Sequence, residues 1–121
     1  MGLIPHLTMK QLIALEFAPY AFTGLIADRV IFCAGVSEYW PGRGEGWALL
    51  AEESKKHMIQ ITRMVRRFLE ICPTRRIEAS VEVNFKEGHR WAKMLGFELE
   101  AARVRAYLPD GQDCTLYARV R

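Results

Sequence analysis

The stretch Ile77-Glu78-Ala79-Ser80-Val81-Glu82-Val83-Asn84, followed by Lys86 to Leu95 and closed by Gly96-Phe97, decides the reading of the fold. Ile77, Ala79, Val81 and Val83 alternate with Glu78, Ser80 and Glu82. That is the two-residue period of a strand, so Arg76 to Val83 is predicted as one. Lys86 to Leu95 reads as a helix, and Gly96 stands where a helix is ended by a glycine. Phe97 to Leu108 and Cys114 to Val120 read as two further strands, joined by the turn residues Pro109-Asp110-Gly111-Gln112.

Upstream, Met58, Ile61, Met64, Val65, Phe68, Leu69 and Cys72 recur at helical spacing, with Arg63, Arg66, Arg67 and Glu70 on the other face and Pro73 as the stop. A helix between strands implies a crossover and hence parallel pairing. Before it, Trp47 to Ala51 is a short apolar run behind Pro41-Gly42-Arg43-Gly44-Glu45-Gly46, a strong turn signal. Arg29 to Trp40 and Tyr20 to Ile26 are predicted strands, joined at Ala27-Asp28-Arg29. Gly35 inside the longer strand marks a bulge or a close backbone approach. Thr8 to Phe17 reads as a short helix capped by Thr8 and stopped by Pro19. The order is α-β-β-β-α-β-α-β-β, a mixed-sheet α/β domain.

The bulk numbers agree with one such domain. The chain has 121 residues, half of them hydrophobic, which suffices for a core without disulfide or metal staples. Seventeen basic residues against fourteen acidic ones leave a net charge of +3, too mild for a dedicated nucleic-acid binder. The basic residues cluster from Lys55 to Arg76, where Glu70 is the sole acid; this reads as a solvated helix face or a surface that receives phosphates. Three scattered cysteines form no CxxC pair, and the three histidines have no metal-ligand spacing with them, so no metal is expected. No signal peptide and no membrane-spanning run is read, and a reduced, cytoplasmic setting is expected.

The order of elements, together with the strand-Asn-helix run ending in Leu95-Gly96-Phe97, resembles the GNAT acetyltransferase superfamily over about residues 20 to 121. In detail it is similar to short GNAT-like proteins of tailed phages and prophages, through Gly44 to Leu50, Arg63 to Arg67 and Arg90-Trp91. The resemblance implies a single GNAT-like domain: a mostly antiparallel mixed sheet with a central parallel β-α-β splay and a shortened N-terminal part. It implies acetyl-CoA or coenzyme A as a small-molecule thioester partner and an amine of unknown identity as acceptor.

Two segments compete for the pyrophosphate. Arg43-Gly44-Glu45-Gly46-Trp47-Ala48 matches the family's R-x-x-G-x-A pattern, but would extend the helix from Gly46 to Ile71. Alternatively, Gly42 to Gly46 is a hairpin turn, Trp47 to Ala51 is the cofactor-facing strand, and Glu52 to Met58 is the loop. The second supplies the expected strands and sets two lysines beside a helix N-terminus, where orphan N–H groups favour anions. On it, Leu50 and Ala51 offer backbone to pantetheine, Ser54, Lys55, Lys56, His57 and Met58 surround the pyrophosphate, and Asn84 stands near the family's Asn position.

Acyl transfer to an amine needs a base, an oxyanion donor and an acid for the leaving thiolate. The family's tyrosine four residues before the glycine of Gly-Phe is Ala92 here, and Asn84 lies one residue early. Replacement catalytic candidates are Glu38, Glu78 and Tyr107, with Glu82, His89 and Tyr117 behind them. Each also has an ordinary reading as a wet strand face, packing or a surface residue. An N-acetyltransferase is therefore one expectation, and a non-catalytic phage accessory or virion-associated protein on the same scaffold the alternative. No membrane partner and no specific nucleic acid are expected. Edge strands, with Tyr39 and Trp40 near a turn, are compatible with a homodimer.

Overall fold

The computed structural model describes residues 20–27 and 29–121. The helix expected over Thr8 to Phe17 lies outside the described residues. β1 (Tyr20–Ile26), β2 (Arg29–Trp40) and β3 (Arg43–Leu50) form an antiparallel meander, and Ile26 pairs with Arg29 directly across the expected tight turn. A 3₁₀ segment (Glu52–His57) runs into α1 (Met58–Ile71), then come β4 (Arg76–Glu82), α2 (Lys86–Met94), β5 (Glu98–Val104) and β6 (Cys114–Val120). The six strands lie in the order β1-β2-β3-β4-β6-β5. β3 and β4 are the parallel pair, and all other neighbours are antiparallel.

The α1 apolar stripe and the α2 apolar face both cover one side of this sheet. Ile61, Val65 and Leu69 of α1, with Trp91, Ala92 and Leu95 of α2, join Ala34, Val36, Ala48, Ile77, Ala79 and Val81 in one buried core. The strand members are alternate residues, as a single sheet face requires. The two helices are tied together where Trp91 Nε1 donates to Thr62 Oγ1 at 2.9 Å, both groups buried. Thr62→Val leaves the indole N–H buried without an acceptor, so it is expected to cost about 1–3 kcal/mol while Thr62→Ser restores most of it; urea unfolding of the two variants checks this, and equal stability of Val and Ser variants would contradict it.

Two boundaries differ from the sequence reading, each for a local reason, and Gly35 takes one of its two expected roles. The turn expected over Gly42 to Gly46 is only Pro41-Gly42, and Arg43, Gly44, Glu45 and Gly46 already pair with β2. Gly35 is a close approach rather than a bulge: a Cβ there would sit 2.5 Å from the Tyr20 carbonyl oxygen and 2.8 Å from the Trp47 ring. The bulge of β2 falls instead between Glu38 and Trp40. The strand expected to reach Leu108 stops at Val104, because Asp113 takes hydrogen bonds from Arg103 and the Ala106 N–H and turns the chain, with Ala106 at φ +50°. Gly96 does end the helical run in the left-handed region, at φ +91°.

Candidate functional site

β3 and β4 pair through only three residue pairs, Arg43 with Arg76, Gly44 with Ile77 and Glu45 with Glu78. Beyond Glu45 the two strands part, and the edge of β3 from Gly46 to Leu50 that faces β4 carries no ladder. The helix reading of Gly46 to Ile71 is thereby excluded, since this segment is strand. The parting is the parallel splay that the family resemblance implies.

On the helix side the splay opens into a cavity of about 360 Å³ between the start of α1 and the outer part of α2. Leu50, Met58, Ile59, Trp91 and Met94 give it apolar walls, Thr62 and Ser54 lie within it, and Lys55 and Arg90 stand at its rim with Glu87. Four of the expected cofactor contacts, Leu50, Ser54, Lys55 and Met58, are brought together here. The others are not. The Ala51 N–H donates to the Ile31 carbonyl, so it belongs to the β2 pairing. Lys56, His57 and Asn84 do not line the cavity; Lys56 and Asn84 are exposed, and Asn84 lies in the turn after β4.

The expected loop Glu52 to Met58 is wound into the 3₁₀ turn, with Ser54 N–H and Oγ both donating to the Ala51 carbonyl. Its charges are partly consumed: Lys55 pairs with Glu52 at 2.9 Å, and Glu53 with Arg29 at 2.6 Å. Thr62 was not singled out from the sequence, and Arg90 entered only within the family-like Arg90-Trp91, not as a cofactor contact. Both follow from the helical period once the cavity is seen to lie between two helices.

The opposite face of the splay is polar. Glu45, at the last paired position of β3, accepts a hydrogen bond from Tyr39 Oη at 3.0 Å and another from Ser80 Oγ at 3.2 Å, reaching across to β4. Tyr39 is driven to a higher pKa by burial and by the Glu45 carboxylate. Glu78 is 3 % exposed and is clamped: Arg43 donates Nε and Nη2 to its two oxygens at 2.7 and 3.0 Å, and Arg76 donates Nε at 2.8 Å. The Arg43 guanidinium above all, and that of Arg76 with it, hold the Glu78 carboxyl below the usual range although burial opposes them. Glu78 is therefore neither a wet face nor a group shaped to accept a proton. Glu38 is exposed and receives the Gly42 N–H at 3.2 Å, a contact that closes the β2–β3 hairpin. Tyr107 lies in the loop after β5, within electrostatic reach of Glu45 and Glu78, and burial raises its phenol pKa.

Of the remaining candidates, His89 Nε2 lies 2.8 Å from the Val83 carbonyl, which can only accept, so this nitrogen carries hydrogen and Nδ1, in the neutral ring, accepts from Tyr117 Oη at 2.7 Å. Both rings join α2 to the sheet. Ala92 is fully buried in the core. Ser37 Oγ on β2 and Trp47 Nε1 on β3, the strand of Glu45, are buried without a hydrogen-bond partner. Glu45 and Tyr39 are the residues that sequence reasoning missed as site members. The signal was the in-register pairing of Glu45 with Glu78, hidden because Glu45 was read as part of a turn. Among the described residues no cluster of His, Cys, Asp or Glu could hold a metal ion, and no helix is long and apolar enough to cross a membrane.

This arrangement is the fold of the GNAT acetyltransferases. Ard1 from Thermoplasma volcanium matches with a TM-score of 0.77 at 18 % identity, over 94 % of this chain and 80 % of its own. The IAA acetyltransferase from Bacillus cereus ATCC 14579 matches at 0.74 and 12 %, over 94 % and 85 %. A spermidine N-acetyltransferase SpeG chimera from Vibrio cholerae and hSSAT matches at 0.69 and 17 %, over 96 % and 78 %. At these identities the likeness is one of fold. No family model and no curated protein matches the chain.

Proposed function

We propose that this protein is an acetyl-CoA-dependent N-acetyltransferase acting on an amine. The observation that carries the reading is the splay itself, with an apolar cation-rimmed cavity on one face and the Glu45 carboxylate on the other. The residues fit the thioester substrate. The unladdered β3 edge from Gly46 to Leu50 can pair with pantetheine amides as an added strand would. Leu50, Met58 and Trp91 can take its apolar stem, and Lys55 and Arg90 its phosphates. Acetyl-CoA supplies the acyl group: its C–S bond breaks as the amide C–N bond forms, and the thiol leaves with a proton. Glu45 is the group placed to take the ammonium proton, and its bonds from Tyr39 and Ser80 hold it in position. Tyr107, kept protonated by burial, is the nearby proton source.

The direct test is calorimetry with acetyl-CoA on the wild-type chain and on a Lys55→Glu/Arg90→Glu variant. Binding by the wild type, weakened at least tenfold by reversing both rim charges, is expected. No heat at millimolar ligand would remove the proposal.

A second reading is a non-catalytic accessory protein of phage or prophage origin on the same fold, homodimeric and resident in the bacterial cytoplasm or on the virion. It is favoured by the buried Ala92 where the family's acid would stand and by the sequestration of Glu78. Thioester binding without turnover on any amine would support it.

A further inference from the structure

The basic run of α1 has no part in the chemistry proposed above. Arg63, Arg66 and Arg67 are exposed and, among the described residues, make no ion pair. Helical spacing sets two of them beside the cavity. Arg63 lies one turn beyond Ile59 and Arg66 one turn beyond Thr62, and both Ile59 and Thr62 are walls of that cavity. From the other side, α2 presents Arg90 at the rim and, three residues on, the exposed Lys93. At the mouth itself stand Ile59 and Met94, apolar wall residues left 70 and 51 % exposed. An apolar centre with a cationic border is the composition of a protein docking surface, and its sign selects an acidic partner. Glu87 at the rim and Glu70 in the last turn of α1 are too few acids to reverse that sign.

Two further observations say what that partner brings. The cavity lies on the helix side of the sheet and Glu45 on the other, so a macromolecule docked on the helices meets the donor end of the site and not the acceptor end. The segment ahead of α1, moreover, is a poor seat for a diphosphate. It is wound into the 3₁₀ turn, its first turn carries Glu52 and Glu53, and Lys55 is held by Glu52. Lys55 and Arg90 can meet one phosphodiester, but the turn offers nothing to a second phosphate and a nucleotide. An apolar groove of this kind fits a pantetheine arm that ends on a single phosphodiester.

We propose that the preferred acyl donor is a phosphopantetheine thioester carried on an acidic protein, which docks on α1 and α2 around the mouth while its arm enters the cavity. The inference rests on the acetyltransferase reading: acetyl-CoA offers the same arm, and the carrier adds a surface for Arg63, Arg66 and the exposed Ile59 and Met94. The reaction balances as it does with acetyl-CoA. The carrier's C–S bond breaks as the amide C–N bond forms, and the ammonium gives up two protons, one to solvent by way of Glu45 and one that ends on the arm's thiol.

The test is calorimetry on the full chain with three probes: acetyl-phosphopantetheine, acetyl-CoA and an acyl carrier protein bearing the acetylated arm. In low salt the acetylated carrier is expected to bind about tenfold or more tightly than acetyl-phosphopantetheine, and to lose that advantage in about 0.5 M salt. Arg63→Glu/Arg66→Glu should abolish the same advantage while the Kd for acetyl-phosphopantetheine and the urea midpoint keep their wild-type values. Both positions are exposed, and glutamate is a good helix former. A carrier that binds no better than its free arm overturns the inference, and so does a DNA duplex that binds more tightly than the carrier. A loss of acetyl-CoA affinity in Arg63→Glu/Arg66→Glu as large as the loss of carrier affinity would assign the arginines to nucleotide phosphates, and overturn it too. With acetyl-CoA still bound by the wild type, each of these outcomes leaves the acetyltransferase reading standing; no binding of the arm in any form removes both.

Discussion

Glu45→Gln is expected to lower acetyl transfer roughly a hundred- to a thousandfold while the affinity for acetyl-CoA stays at its wild-type value. The glutamine side chain has the same length and can still meet Ser80 and Tyr39, so geometry and packing are retained. What it lacks is the capacity to take a proton from an incoming ammonium. The cavity proposed for the thioester lies across the sheet, lined from Leu50, the start of α1 and α2, and no lining residue changes. Steady-state kinetics and calorimetry on the same variant separate the two. Wild-type turnover by Glu45→Gln would remove Glu45 from the chemistry, and a parallel loss of acetyl-CoA affinity would show that it acts on binding instead.

Glu78→Gln is expected to destabilise the fold by about 3 kcal/mol near neutral pH. Removing one member of a buried ionic cluster strands the rest, and here two guanidiniums would share a neutral amide. The loss sits at the low end of the usual range, because Arg43 and Arg76 are each about a third exposed and can rehydrate. The midpoint of urea unfolding should fall with the slope unchanged. The pH dependence has a definite sign. Arg43 and Arg76 depress the folded-state pKa of Glu78, so the unfolded chain binds its proton first as pH falls. The cluster's stabilisation is complete above about pH 5 and is lost progressively as pH falls through the unfolded carboxyl pKa, near 4.3, towards the lower folded value. Part of the acid sensitivity of the wild type should therefore vanish in Glu78→Gln. Identical acid profiles would mean that the guanidiniums contribute nothing net.

The elements were legible where periodicity was strong. The alternation of Arg76 to Val83 and the i, i+3, i+4 pattern of Met58 to Cys72 both report a buried face, and both elements stand where those patterns place them. The parallel pairing followed from the order of elements; the splay was an expectation of the family resemblance. Misreadings arose where composition and geometry diverge. Arg43-Gly44-Glu45-Gly46 has turn composition, yet a Cβ at Gly44 would meet the Ser37 carbonyl at 2.8 Å; that glycine serves close strand packing. Reading it as a turn removed Glu45 from consideration. Glu78 had the pattern of a solvated position, because alternation cannot tell water from a pair of arginines. Tyr107 was placed on a strand that Asp113 ends early. In each case the missing information was a partner distant in the chain, Ser80 for Glu45 and Arg43 for Glu78, each 35 residues away.

The three residue pairs between β3 and β4 have a mechanical meaning. The sheet consists of two panels, β1-β2-β3 and β4-β6-β5, stitched at one end of a seam and unlaced along the rest. A long amide-bearing molecule laid in the seam would act as a keystone, bonding to strand backbone that carries no ladder. Its affinity is then returned as rigidity of the whole domain: at a hundred times its Kd it raises folding stability by about 2.7 kcal/mol.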